Sequence, residues 1–340
     1  MSSSVAAAIP VPMLRLQRLR FQFQAIDPIR LPTFSGSAWR GLLGHSLRRS
    51  VCVTRAPNCD GCLLRGQCFY STFFETPAAS AQIAKRYSAL PHPFVLEPPP
   101  AGQREHASGE SLALGLTLIG PAGDQLPYLI HALQRAGGIG LGREGGRFRL
   151  RQVVQETSLG SDHWQPVFEA DSGTLQPLRT APQVLDPCPE VLVFKLLTPL
   201  RIKQRGRYIR ATGLSARALL GTLAARVSLL AELYPPEPTV PGLVAPYAGP
   251  RTLERGLVHA AIDQVEIQAM QVRWVDWPRY SSRQRTHMQL GGLLGQVRLS
   301  GPGIAPLWPL IALGQWLHLG KNTSFGLGRY RVTTAAASQG

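Results

Sequence analysis

LPYLIHALQRAGGIGLGREGGRFRLRQVV, residues 126–154, sets out a helix, a glycine turn and a strand in that order. Leu126, Leu129, Ile130 and Leu133 recur at helical spacing, Gly137 to Gly146 is rich in glycine, and Arg147 to Val154 reads as a strand. The order returns at the other end in APLWPLIALGQWLHLGKNTSFGLGRYRVT, residues 305–333. There a helix over Ala305–Leu319 and a glycine loop over Gly320–Gly328 lead into a last strand, Arg329–Thr333. The recurrence predicts two copies of one α+β unit.

Outward from the first stretch, Leu112–Leu118 alternates as a strand and Phe94–Leu96 as another, and Leu19, Phe21, Phe23 and Ala25 mark a strand within Leu14–Ala25. Ser35 or Ser37 can cap a helix running to about Arg49. In the second half, strands are predicted over Val191–Ile202, near Leu257–Ile262, over Val265–Val275 and near Leu293–Leu299, with a helix over Ser215–Leu233. Both halves read β-α-β-β-α-β, two tandem ferredoxin-like, RRM-like domains over residues 13–176 and 190–334. Their boundary falls in the Pro-rich stretch Pro177–Pro189, and a Cys-rich insertion (52–68) interrupts the first. Such units serve many purposes, so topology alone assigns no activity. Met1–Pro12 reads as an unstructured leader without the basic start of a signal peptide, and no apolar run approaches a membrane span. A cytoplasmic protein with no membrane partner is expected.

Lys and Arg total 36 against 20 Asp and Glu, a formal charge of +16, which favours a polyanionic partner. Codon bias in a GC-rich genome accounts for part of the 32 Arg against 4 Lys, but not for where the charge lies. Residues 191–231 hold eight basic side chains, Lys203 and Arg205 among them, and no acid; everything after Asp276 holds seven and no acid. One-sided stretches of this kind suit a nucleic-acid groove.

Cys52, Cys59, Cys62 and Cys68 lie within 17 residues, a spacing that lets four thiolates complete a tetrahedron around one metal. A structural zinc knuckle is expected, with an iron–sulfur cluster as the alternative. A disulfide is disfavoured in a cytoplasmic chain, and Cys188, between two prolines, reads as a bystander.

On the first helix Trp39, Leu42, Leu43 and Leu47 share one side, while His45, Arg48 and Arg49 fall opposite, with Gly41 one turn earlier leaving room for a ligand. A histidine flanked by two arginines away from the core suits phosphate chemistry. His318, near the end of an apolar helix, reads as a packing residue. The run Arg279-Tyr280-Ser281-Ser282-Arg283-Gln284-Arg285 offers guanidinium groups, an aromatic ring and hydrogen-bonding groups suited to RNA. In the loop after His318, glycines allow close backbone approach to phosphate, with Lys321 and Arg329 at its rim; the order of a P-loop is absent, so nucleotide hydrolysis has no support.

Trp39–Arg49 followed by the cysteines, Gly138–Arg143, Arg279–Gln284 followed by Leu290–Gly295, and Gly320–Tyr330 together resemble the CRISPR-associated repeat-processing endoribonucleases of the RAMP superfamily, the Cas-six family. The resemblance implies binding of CRISPR repeat RNA and cleavage of precursor crRNA. It also implies a catalytic histidine on the first helix, where His45 stands. The expected chemistry is metal-independent transesterification, with no catalytic metal. His45 would act as general acid or base, and Arg48, Arg49 or Lys321 would stabilise the phosphorane. Arg40, Arg143, Lys203, Arg205, Ser324 and Arg329, with Arg279, Tyr280, Arg283, Gln284 and Lys321, are the candidate RNA contacts. The alternative is a non-catalytic RAMP subunit that holds crRNA beside the other subunits of a CRISPR effector complex. A zinc-dependent hydrolase finds no histidine or carboxylate cluster to form an open metal site.

Overall fold

Alternating apolar side chains at Leu19, Phe21 and Phe23 form the central strand of a five-stranded antiparallel sheet. The computed structural model describes residues 7–78, 81–87, 89–181, 185–235, 252–281 and 286–334. The chain divides into two units, Leu16–Pro182 with Arg279–His287, and Met1–Arg15 with Gln183–Pro278 and Met288–Gly340.

The N-terminal unit runs β1 (Leu16–Ala25), α1 (Gly36–Val51), β2 (Phe94–Glu97), β3 (Ser111–Ile119), α2 (Leu126–Ile139), β4 (Phe148–Glu156) and β5 (Trp164–Glu169). The sheet order is β2-β3-β1-β4-β5, with Phe21 opposite both Leu114 and Val153. The odd-numbered residues of β1 face the core under α1 and α2. There the Phe23 ring lies 5.3 Å from Trp39 and 5.0 Å from Phe148, and a π-helical turn over Ser71–Glu75 stacks Phe73 on Phe94 at 4.3 Å. Each such pair contributes about 0.5–1.5 kcal/mol beyond the area it buries.

The even-numbered face of β1 carries charge. The Arg18 guanidinium donates to Glu97 on β2 at 3.1 and 3.2 Å, and to Glu156 on β4 at 3.0 and 3.1 Å. All three residues are buried. Gly115, on the strand between Arg18 and Glu97, makes the reach possible: a Cβ there would stand 2.8 Å from that of Glu97.

The C-terminal unit runs β6 (Val191–Leu200), a hairpin of β7 (Lys203–Gln204) and β8 (Arg207–Tyr208), α3 (Ala216–Leu233), α4 (Arg255–Ile262), β9 (Glu266–Ser281), β10 (Thr286–Ser300), α5 (Ile304–Leu317) and β11 (Tyr330–Thr334). Its sheet order, β9-β10-β6-β11, repeats the arrangement of the first four strands of the N-terminal unit. Phe194 lies opposite Val297 and Val332, and the buried Tyr330 donates its hydroxyl to the Ile311 carbonyl at 2.7 Å. Ser215 caps α3 by accepting the Ala218 N–H at 3.1 Å.

Four expectations change. Leu257–Ile262 is helical, part of α4, because Val258, Ala261 and Ile262 share a buried helical face while Leu257 is 49% exposed. Strand β5 was not foreseen; its alternation is weak, and only Val167 and Phe168 are buried. Ser35 occupies the N-cap position of α1 but makes no side-chain capping bond. The leader is anchored in its described part, since Ile9 is buried and donates its N–H to the Pro306 carbonyl at 2.9 Å.

Candidate functional site

Helix α1 turns Trp39, Leu43 and Leu47 into the core and leaves His45 and Arg49 exposed, as the wheel predicts. Neither His45 nor Arg49 has a hydrogen bond or ion pair among the described residues. A Cβ on Gly41 would meet nothing within 4 Å, so the helix surface one turn before His45 is open. Gly44 differs: a Cβ there would stand 3.1 Å from the Phe74 ring, where the π-helical turn packs on α1.

The two arginines beyond His45 are not equivalent. Arg48 donates to the carbonyls of Ala56 and Pro57, and its guanidinium lies 5.6 Å from the Tyr70 ring centre. It therefore ties the cysteine loop to the helix. Arg40, one turn before Gly44, is engaged with His92 at 3.1 Å and lies 5.1 Å from the centre of the Phe74 ring.

Cys52, Cys59, Cys62 and Cys68 all line one cavity of about 480 Å³, and none is in a disulfide. The hydrogen bond with Thr54 pulls the Cys52 thiol down, whereas burial, followed by Glu75, pushes Cys59 up. Among the described residues no three Cys, His, Asp or Glu side chains converge closely enough to hold a metal.

The first glycine turn is built for backbone contact. A Cβ on Gly137 would stand 2.1 Å from the Phe148 carbonyl oxygen, one on Gly142 2.5 Å from that of Arg30, and one on Gly146 2.4 Å from that of Pro28. Arg143 projects from this turn, exposed and with no pairing among the described residues.

The second glycine loop follows α5. Its N–H groups turn largely inward: Lys321 donates to Arg201, Gly326 to Thr323, Gly328 to Pro199, and Arg329 to the Thr198 hydroxyl, at 2.8, 2.8, 3.1 and 2.8 Å. The glycines thus seat the loop on β6 rather than leave a row of amides for phosphate; a Cβ on Gly320 would be 2.4 Å from the Arg201 carbonyl oxygen. Thr323 and Ser324 are buried, and the Lys321 side chain is exposed. His318 is fully buried with Nδ1 3.2 Å from the Leu327 carbonyl oxygen, the packing role expected. Arg226, 9% exposed and with burial pulling it down to about 10, donates Nε to the carbonyls of Leu317 and His318 at 3.0 and 3.1 Å. No motif in the sequence marks that side chain.

Lys203 and Arg205 lie in the β7–β8 hairpin, both exposed, with Arg205 and Gly206 at positive φ in its turn. Arg279 and Tyr280 belong to β9, and Arg283 and Gln284 lie outside the described residues. The catalytic candidates divide between the units: His45, Arg48 and Arg49 belong to one and Lys321 to the other.

Two antiparallel-sheet units of mixed α/β structure form a fold shared with solved Cas6 structures. A Thermus thermophilus Cas6 has this fold at 15% identity, with 94% of this chain and 99% of that one covered and a TM-score of 0.51. Its product complex gives 17% identity, 94% and 100% coverage, and the same TM-score. A chain of a partial Cas6-RT-Cas1–Cas2 complex matches at 15% identity with a TM-score of 0.54, over 97% of this chain and 47% of that one. Residues 194–330 match the family described as CRISPR-associated endoribonuclease Cas6, and residues 14–180 match the N-terminal domain family AF_1859_N. The C-terminal part of the chain is thus similar to the Cas6 family in sequence, over residues 194–330. An uncharacterized protein of Archaeoglobus fulgidus is 30% identical over 129 residues, and the match spans 38% of this chain and 42% of that protein. Among the described residues no helix is long and apolar enough to cross a membrane.

Proposed function

We propose that this chain is an endoribonuclease of the Cas6 type that binds CRISPR repeat RNA and cleaves precursor crRNA within each repeat. The observation that carries the proposal is the open face of α1, where His45 stands exposed and unpaired among the described residues, beside the empty space over Gly41. The RNA's own 2′-oxygen attacks the adjacent phosphorus as its proton is removed, and the bond to the 5′-oxygen breaks as that oxygen gains a proton. The products carry a 2′,3′-cyclic phosphate and a 5′-hydroxyl. His45 moves one of these protons, worth on the order of 10²–10⁴-fold. Arg49 stabilises the phosphorane, and Arg48, occupied by loop carbonyls, acts by holding the cysteine loop. Lys321, Lys203 and Arg205 in the C-terminal unit, and Arg143 in the N-terminal unit, all exposed, are further RNA contacts, each on its own unit. Both units are read as ferredoxin-like domains of the RRM type, on the shared strand order.

A structural zinc is proposed for the four cysteines: they line one cavity and four thiolates suit that ion, although the loop must draw them closer together to hold it. Zinc there would hold a loop whose Leu63 and Val53 are exposed and supply it with no core of their own. Metal analysis of the purified protein checks this: about one zinc per chain supports it, and visible charge-transfer absorption would replace zinc with an iron–sulfur cluster.

Incubation of the protein with labelled repeat RNA in EDTA tests the cutting. The wild type is expected to cleave and His45→Ala to lose on the order of 10²–10⁴-fold. Repeat RNA that is bound but left whole by the wild type would make the chain a binding subunit. Full cutting by His45→Ala would move the chemistry elsewhere.

A further inference from the structure

At the end of β6, beside the second glycine loop, Arg201 is 7% exposed, and its Nε and Nη1 are buried with no hydrogen-bond partner among the described residues. No other guanidinium among the described residues has two such nitrogens. An ionised donor buried without an acceptor is costly, so such a group calls for a partner, whether water, an ion or a ligand. The guanidinium lies over the Tyr208 ring, its carbon 4.3 Å from the ring centre.

Three features around it favour an anionic strand. The Arg201 carbonyl accepts the Lys321 N–H at 2.8 Å, so the guanidinium and the loop share one backbone anchor. The β7–β8 hairpin that carries Tyr208 also carries Lys203, Arg205 and Arg207, all exposed and paired with no acid among the described residues. Tyr208 itself is 37% exposed, which leaves part of its ring open for a base. The glycine loop's own amides are largely used internally, so charge for a phosphate must come from side chains.

We propose that Arg201 is a phosphate-pairing residue for the bound RNA: a phosphodiester oxygen accepts from its guanidinium while Tyr208 stacks the adjoining base. Resting on the RNA-binding function above, this adds a residue and a contact mode that the basic runs of the sequence do not single out. Arg201 binds the strand and takes no part in the cut.

The test is equilibrium binding of labelled repeat RNA across a salt series, with thermal melting of each protein alongside. Arg201→Met is expected to bind about 10- to 100-fold more weakly. Its log K against log salt line should be flatter by about 0.7, the value for one phosphate contact on a single strand. Arg201→Lys keeps the slope and loses less affinity, and Arg201→Gln replaces Arg201→Met if the latter fails to fold. Wild-type slope in the neutral variant that folds overturns the proposal, even where affinity falls with melting temperature, since that pattern belongs to a hairpin support. If the wild type itself fails to bind repeat RNA, the RNA-binding function falls and the proposal with it; normal binding with an unaltered slope in the variants removes Arg201 alone.

Discussion

Replacing Arg18 with Met would leave Glu97 and Glu156 facing the same emptied space on the charged side of the N-terminal sheet. The Arg18 side chain is 9% exposed and that of Glu156 fully buried, so water cannot take over the four hydrogen bonds at 3.0–3.2 Å. Glu156 would keep one neighbour, the Asp162 N–H at 3.0 Å. Removing one partner from a buried ion pair costs roughly 3–5 kcal/mol. A unit of this size shifts by about 2–4 °C per kcal/mol, so melting should fall by roughly 6–20 °C. Calorimetry checks this, with urea titration followed by near-UV signals of the six tryptophans, of which Trp39 sits in the core of this unit. The triple variant Arg18→Met, Glu97→Leu, Glu156→Leu is expected to regain most of the loss, since apolar side chains of similar volume replace such groups at little cost. Melting of Arg18→Met within about 2 °C of wild type would refute the assigned energetics. A triple variant as unstable as the single one would show that side-chain shape, not charge, governs the site.

Gly320→Ala combines a φ of +84° with a Cβ 2.4 Å from the Arg201 carbonyl oxygen; about 2 kcal/mol should be lost in chemical denaturation, and a loss under about 0.5 would refute the seating of the loop on β6. Burial pushes the Tyr330 hydroxyl far above the ordinary tyrosine range, so the folded chain keeps that proton where the unfolded chain releases it. Stability should therefore fall above about pH 10, by up to about 1.4 kcal/mol per pH unit, and Tyr330→Phe should flatten the fall; parallel alkaline profiles for the two proteins would contradict this. Gly41→Ala meets no neighbour and should stabilise α1 by up to about 1 kcal/mol while slowing cleavage, if the RNA lies over that turn; unchanged cutting in the more stable protein would put the RNA elsewhere.

Periodicity exposed most of the framework, because each buried strand or helix face repeats at its own interval. Leu19, Phe21 and Phe23 announced β1, and the exposed face of α1 followed from Trp39, Leu43 and Leu47. Short segments with few apolar residues escaped, as at β5, and Leu257–Ile262 was ambiguous because a short apolar run suits strand or helix until its neighbours are known. Tertiary pairings were not legible. Arg18 meets partners 79 and 138 residues away, and Arg226 reaches carbonyls 91 and 92 residues on. The candidate site was legible in residue type and less so in role. Arg48 reads like Arg49 on a helical wheel, and only the loop carbonyls separate them.

That bond has a practical side. The side chain three positions beyond His45 grips the segment between Cys52 and Cys59, so helix and loop form a single mechanical piece. Whatever oxidises or alkylates the thiols pulls on the helical turn that carries His45. The history of a preparation then becomes a variable of every cleavage measurement made with it.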